Sequence, residues 1–161
     1  MAKSDKNEKT NVMRLLDQAG VPYTPHYYDP SLTTGTDVAK TLGFPAECVF
    51  KTLVTEAGKG RYFVFVIPVA ETLDLKKAAK CAGVKAIAML PQKELLPLTG
   101  YVHGGCSPVG MKKPFPTFID ETALLTDSFF CSAGRLGAQI ETDAELLCRY
   151  IGAAFADLTV S

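Results

Sequence analysis

Apolar residues recur with helical spacing at Val12, Leu15, Leu16 and Ala19, and the pattern stops at Gly20 with Pro22 beyond it. This predicts an amphipathic helix that opens the domain. Residues 21–29 are rich in tyrosine and carry two prolines, which suits an irregular edge strand because proline cannot donate to a sheet ladder. Thr36, ahead of Val38, Ala39 and Leu42, reads as the N-cap of a short helix closed by Gly43. The strongest local pattern spans residues 49–69, where VFKTLVT and RYFVFVIPV flank a polar turn at 56–60 containing two glycines. That is a β-hairpin. Its second arm is apolar at every position from 62 to 67, so both faces are covered and the arm belongs at the centre of a sheet or barrel.

Beyond the hairpin, Asp74 can cap a helix through Leu75, Ala78, Ala79 and Ala82 that ends at Gly83, residues 84–90 make a short strand, and Pro91 takes the first position of a further helix. Four glycines and three prolines then interrupt residues 100–116, which predicts an extended surface loop, long enough to invite a functional explanation. Strands follow at 117–120 and 128–132, and a last helix from about Asp143 carries Leu146, Leu147, Tyr150, Ile151 and Ala154 on one face. The chain reads as one domain, residues 11–161, behind a polar tail of residues 1–10.

A 47% hydrophobic and 21% charged composition is that of an ordinary globule and excludes a fibrous repeat. Lys plus Arg and Asp plus Glu both total 17, leaving no net field to hold nucleic acid or an anionic membrane. Any RNA partner must be gripped locally or through another protein. No apolar run approaches the ~20 residues of a membrane span, and residues 1–10 lack the apolar core of a secretory signal, so a cytoplasmic location is expected. The five cysteines are scattered without paired C-x-x-C spacing, as free buried thiols would be, and no metal or other cofactor is expected.

Three features could carry chemistry. Lys51 shares a strand face with Val49 and Leu53. It is either an edge lysine that extends its charge to water past its own methylenes or a cation aimed into a cleft to hold a phosphate, a carboxylate or a developing oxyanion. In the cleft, desolvation would lower its pKa. The segment GGCSPVGMKK, 104–113, is either a structural turn or a set of main-chain N–H groups able to cradle an anion. It is not a nucleotide-binding P-loop, because Met111 stands where that motif requires lysine. SAGRLG, 132–137, is either a strand-to-turn exit with a solvated arginine or a second wall of an anion-accepting pocket. His26 and Tyr28 can project from one strand face, with His26 as a hydrogen-bonded structural residue. The presence of only His26 and His103 and the lack of a GxSxG elbow argue against a Ser–His–Asp hydrolase. Cys106 reads as packing.

The order HYYD (26–29), FKTLV (50–54), PVAETLDLKKAAK (68–80), TGYVHGGCSPVGMKK (99–113), PTFID (116–120) and SAGRLG (132–137) resembles the YbaK-type aminoacyl-tRNA deacylases, freestanding relatives of the editing domain of bacterial prolyl-tRNA synthetases. The resemblance implies an α/β fold with a central mixed, partly closed β-barrel-like sheet flanked by helices. It implies hydrolysis of mischarged aminoacyl-tRNA in trans, typically Cys-tRNA(Pro), with the acceptor end of the tRNA as substrate and prolyl-tRNA synthetase as partner. Lys51 falls on the family's essential lysine and Gly104 on its pocket glycine. Tyr28, Thr52, Gly105, Ser132 and Gly134 fall in the substrate-binding set. Thr34 precedes Gly35 where the well-studied branch has an aromatic residue, and Gln139 stands where that branch has Asp. These departures bear on substrate range: the same fold could act on Ala-tRNA(Pro), or serve as a non-catalytic module that binds tRNA or a synthetase.

Overall fold

The computed structural model describes residues 8–32 and 34–161; most of the polar tail assigned to residues 1–10 lies outside them. Helix α1 (Asn11–Ala19) begins where the Thr10 hydroxyl accepts the Met13 N–H and ends at a left-handed Gly20, burying Val12, Met13 and Leu16. The proline-bearing strand β1 (Tyr23–Tyr27) lies at the edge of a three-stranded antiparallel sheet, next to β7 (Ala138–Thr142), which pairs in turn with β6 (Phe129–Ser132). Helix α2 (Gly35–Leu42) starts earlier than its pattern suggested. Its cap is Thr34, whose hydroxyl accepts the Asp37 N–H, and not Thr36. A Cβ on Gly35 would lie 2.4 Å from Val69 Cγ1, so this helix rests its first residue directly on the chain leaving the hairpin.

The hairpin forms as read, with β2 (Phe50–Glu56) antiparallel to β3 (Tyr62–Pro68) in a register running from Phe50 opposite Pro68 to Glu56 opposite Tyr62. It is the heart of a five-stranded mixed sheet ordered β4 (Ala88–Met89), β2, β3, β5 (Thr117–Asp120), β8 (Ala154–Ala156). β3 occupies the centre and residues 64–67 are fully buried, as a run apolar on both faces requires. Helices α3 (Leu75–Ala82), α4 (Gln92–Thr99) and α5 (Ala144–Ile151) complete the α/β architecture. One large apolar cluster joins α1, the first sheet and one face of the hairpin through residues such as Leu16, Phe50, Phe129 and Ile140. A second packs α3 on the other face through Phe65, Ile67 and Ala78.

Several expectations need correction. The strands do not close into a barrel: two separate sheets meet at a parallel bridge between Val49 and Phe130. The strand expected at 84–90 shortens to Ala88–Met89, and Pro91 precedes α4 instead of occupying its first position. Strands β7 and β8 were not anticipated, being five and three residues long with no strong β-branched run. Helix α5 turns Ala144, Leu147 and Cys148 inward, while Leu146 and Tyr150 stay exposed and Ala154 belongs to β8. Residues 100–116 contain no helix or strand, yet residues 105–109 are buried, with the Tyr101 hydroxyl donating to the Val109 carbonyl. The glycines and prolines that break regular structure here also let the main chain enter the interior. Among the described residues, no helix is long and apolar enough to cross a membrane.

Candidate active site

Strand β4 covers β2 only at Thr55 and Glu56, so the first half of β2 keeps an open edge. Around it a cavity of about 140 Å³ forms, walled by Lys51 and Thr52 of β2, Tyr28 just after β1, Thr34 and Gly35 at the start of α2, His103, Gly104 and Cys106 of the long loop, and Ser132 and Gln139 of β6 and β7. Register explains the last pair. Gln139 lies opposite Ser132 on one side and His26 on the other, and directly opposed antiparallel residues point to the same face.

The Lys51 side chain is half-buried and makes no hydrogen bond or ion pair with any described residue. Burial lowers its pKa below the ordinary lysine value, with the Glu71 carboxylate opposing that shift. The buried Thr52 Oγ1 and Gln139 Oε1 also lack a hydrogen-bond partner among the described residues. Ser132 Oγ accepts the Gly134 N–H at 3.1 Å, which leaves its own proton to donate into the cavity. Gly104 sits at φ +86°, where a Cβ would lie 2.8 Å from Leu136 Cδ2; a side chain here would be strained and would push on the lip of the cavity.

Tyr28, Lys51, Thr52, Gly104 and Ser132 therefore converge on one cavity. Gly105 and Gly134 do not line it. Gly105 is buried behind the lip, its N–H already donating to the Val102 carbonyl at 3.0 Å and its Cα facing the Arg135 backbone. Gly134, at φ +98°, makes room for Val12 and Tyr101. Both lie where the backbone path is tight. Other lining residues were not assigned to the site, Gly35, Gln139 and His103 among them. Gly35 could not be singled out because its need is a tertiary contact with Val69. Gln139 appeared only as a departure from the family pattern, although a polar residue between Ala138 and Ile140 was a usable sign. His103 offered no signal beyond its residue type.

Two of the other nucleophile and base candidates, Cys106 and His26, are protonated or already hydrogen-bonded. Burial pushes the Cys106 thiol up to about 12, so it is protonated at neutral pH. His26 Nε2 lies 2.8 Å from Glu141 Oε1, and its ring packs on Phe44 and Phe130. Hydrogen bonds from Ser128 and then from His26 hold the Glu141 carboxyl below its usual range. No group of three His, Cys, Asp or Glu residues suited to a metal ion exists among the described residues. No carboxylate lines the cavity among them either. Its chemistry is that of one partly desolvated cation, several hydroxyls and an amide, suited to an electron-rich, uncharged or anionic group.

The chain is also similar to known proteins. Residues 29–150 match the model of the aminoacyl-tRNA editing domain. A protein of Enterococcus faecalis with the provisional name Cys-tRNA(Pro)/Cys-tRNA(Cys) deacylase EbsC is 42% identical over 161 residues, covering 99% of this chain and 98% of that one. The proline–tRNA ligase of Methylobacillus flagellatus is 26% identical over 110 residues, 66% of this chain but 19% of the ligase. The chain thus corresponds to about one fifth of that enzyme. Among solved structures, a provisionally assigned trans-editing enzyme for prolyl-tRNA synthetase superposes with a TM-score of 0.82 at 27% identity, covering 93% of this chain and 95% of that one. The hypothetical protein APE2540 shares the fold with a TM-score of 0.87 at 24% identity, covering 94% of this chain and the whole of the other. With most of its length matched by the family model and nearly all of it by a relative of the same size, the chain belongs to the aminoacyl-tRNA editing domain family.

Proposed function

We propose that this protein hydrolyses mischarged aminoacyl-tRNA in trans, with Cys-tRNA(Pro) as the leading substrate, and so supports the fidelity of protein synthesis in the cytoplasm. The observation that carries the reading is the half-buried Lys51 ammonium, without a partner among the described residues, in one small cavity with Gly104, Ser132, Tyr28 and the Thr52 Oγ1 and Gln139 Oε1 atoms that are unsatisfied among those residues. An aminoacyl ester is already activated, so cleavage requires orientation, a stabilised carbonyl oxygen and a nucleophile that need not come from the protein.

Lys51 holds the phosphate or ribose of the terminal adenosine. The main chain at Gly104 and the Ser132 hydroxyl face the ester, and Tyr28 lines the pocket. The buried Gly105 amide is committed to Val102, so the lip offers the Gly104 amide and not a pair of donors from this dipeptide. For a cysteinyl ester, the substrate thiol attacks its own carbonyl. The carbon–sulfur bond forms as the bond to the ribose oxygen breaks, that oxygen takes the thiol proton, and water then opens the thioester ring. With alanine no such route exists and bound water must attack directly. A cavity of about 140 Å³ suits small amino acids in either case.

Zero net charge argues for weak intrinsic affinity for tRNA and favours recruitment by prolyl-tRNA synthetase. The deciding experiment is a deacylation time course with Cys-tRNA(Pro), Ala-tRNA(Pro) and correctly charged Pro-tRNA(Pro). Release of cysteine far above the uncatalysed rate is expected. Absence of hydrolysis with every tRNA, alongside measurable tRNA or synthetase binding, would favour a non-catalytic module, the reading that Gln139 in place of an acidic residue supports.

A further inference from the structure

Tyr28 belongs to two hollows. Besides the cavity, it lines a wider groove of about 650 Å³ whose other walls include Tyr27, Arg135 and Leu136. The partition between the two is layered main chain. Leu136 Cδ2 would lie 2.8 Å from a Cβ on Gly104, and the Arg135 backbone 3.1 Å from one on Gly105. The lip of the cavity thus rests on the hairpin turn between β6 and β7 that forms the rim of the groove. That turn is fixed from below by the Tyr28 N–H, which donates to the Gly137 carbonyl at 3.0 Å. On the groove side the Arg135 guanidinium lies over the Tyr27 ring, 5.8 Å from its centroid.

Size sets the path of the substrate. The enclosed cavity is well below the ~300 Å³ at which small-molecule sites begin, so it takes the aminoacyl group and its ester while the terminal adenosine stays at the mouth. The polynucleotide must then leave across one of the walls. The Tyr28 wall leads into a groove that presents aromatic surface, the Arg135 guanidinium and the Asp29 carboxylate; ring and guanidinium are the pair that recognises a stacked base and its phosphate.

We propose that this groove is a second nucleotide subsite, which receives the nucleotide preceding the terminal adenosine, a cytidine in every tRNA. Its base lies against the tyrosine wall, and the phosphate linking it to the adenosine lies beside Arg135. This rests on the deacylase reading of the cavity and extends it: a chain without net charge gains its hold on RNA from two adjacent local sites. Stacking of one base is worth ~1–3 kcal/mol, so the second site should contribute about tenfold in affinity or more.

The test compares binding of adenosine and the dinucleotide CpA to the full-length protein by calorimetry, which requires no turnover. The expected result is at least about tenfold tighter binding of CpA, with that preference reduced severalfold in Arg135→Ala, which removes the phosphate contact and leaves the stacking surface. Equal affinity of the two ligands for the wild-type protein, no binding of either, or a ratio unchanged by Arg135→Ala would overturn the subsite. Deacylation of mischarged tRNA is measured separately. A protein that prefers CpA yet hydrolyses no mischarged tRNA would sink the catalytic reading while leaving the groove a nucleotide site.

Discussion

Asp120 and the cavity at Lys51 are two ways of putting polar groups inside this protein. Asp120 ends β5 at 1% exposure, and its carboxylate is fully used. One oxygen accepts the Leu158 N–H at 3.0 Å, and the other accepts both the N–H and the hydroxyl of Thr122. The carboxylate ties the final strand region to the 3₁₀ turn at Glu121–Leu125. At the cavity the opposite holds: Lys51 lacks a partner among the described residues, and Thr52 Oγ1 and Gln139 Oε1 are buried without one. An unmade buried hydrogen bond costs ~1–3 kcal/mol. A fold that satisfies Asp120 so completely has no general difficulty in pairing polar groups, and this contrast supports the proposal that a ligand completes the bonding at the unpaired set.

The largest effect should come from Lys51→Met. Deacylation of Cys-tRNA(Pro) should fall by ~10²–10³-fold, the scale of losing one preorganised electrostatic contact. The fold should survive, because a half-buried unpartnered ammonium is a liability to stability; Tm should rise by ~2–4 °C, the shift for about 1 kcal/mol in a chain of this size. A fall in Tm together with lost activity would make Lys51 structural and break the contrast with Asp120. The same residue sets a pH effect. Its folded-state pKa is lowered from 10.5, so between the folded and unfolded values the unfolded chain holds more protons and stability rises with pH. The urea midpoint of the wild type should gain on that of Lys51→Met as pH climbs towards 10.5.

Asp120→Ala should show the converse behaviour, losing ~2–4 kcal/mol in denaturant unfolding while the folded fraction keeps its turnover within about twofold. A smaller effect is expected for Gln139→Leu, which removes the unsatisfied buried Oε1. Stability should rise by ~1 kcal/mol and kcat/KM should drop by about tenfold, the worth of one hydrogen bond to substrate at ~1.4 kcal/mol. Unchanged kcat/KM would detach Gln139 from the substrate. The smallest change is expected for Cys106→Ala, because a thiol held near 12 is not a nucleophile at neutral pH. Its deacylation should stay within about twofold of wild type, at a packing cost of ~1 kcal/mol.

Much of the fold was legible from local chemistry. The caps at Gly20, Gly43, Asp74, Gly83 and Asp143 act where the pattern puts them, since capping satisfies backbone groups within a few residues. The hairpin and its central second arm were equally visible, because an unbroken apolar run has no other stable place. The unanticipated β7 and β8 depend on partners remote in sequence. Ala154 to Ala156 become a strand because β5 offers an edge, and Ala138 to Thr142 because β1 and β6 flank them. The alternation of Ala138, Ile140 and Thr142 was too short to stand out alone.

For the site, the sequence by itself singled out Lys51 as a cation on an apolar strand face and the glycine-rich loop as main chain able to approach a ligand. Family resemblance added Tyr28, Thr52 and Ser132, which meet in the cavity. Only the tertiary structure could separate glycines that border the cavity from glycines that lie where the backbone path is tight: Gly104 faces Leu136 at the lip, while Gly105 and Gly134 pack against Arg135, Val12 and Tyr101. It alone brought Gln139 into the pocket through register and revealed Gly35 as a close approach to Val69. The physical reason is range. Periodicity, capping and turn preference act over a few residues and are written into adjacent side chains, whereas the burial of an unpaired polar atom depends on which distant segments close around it.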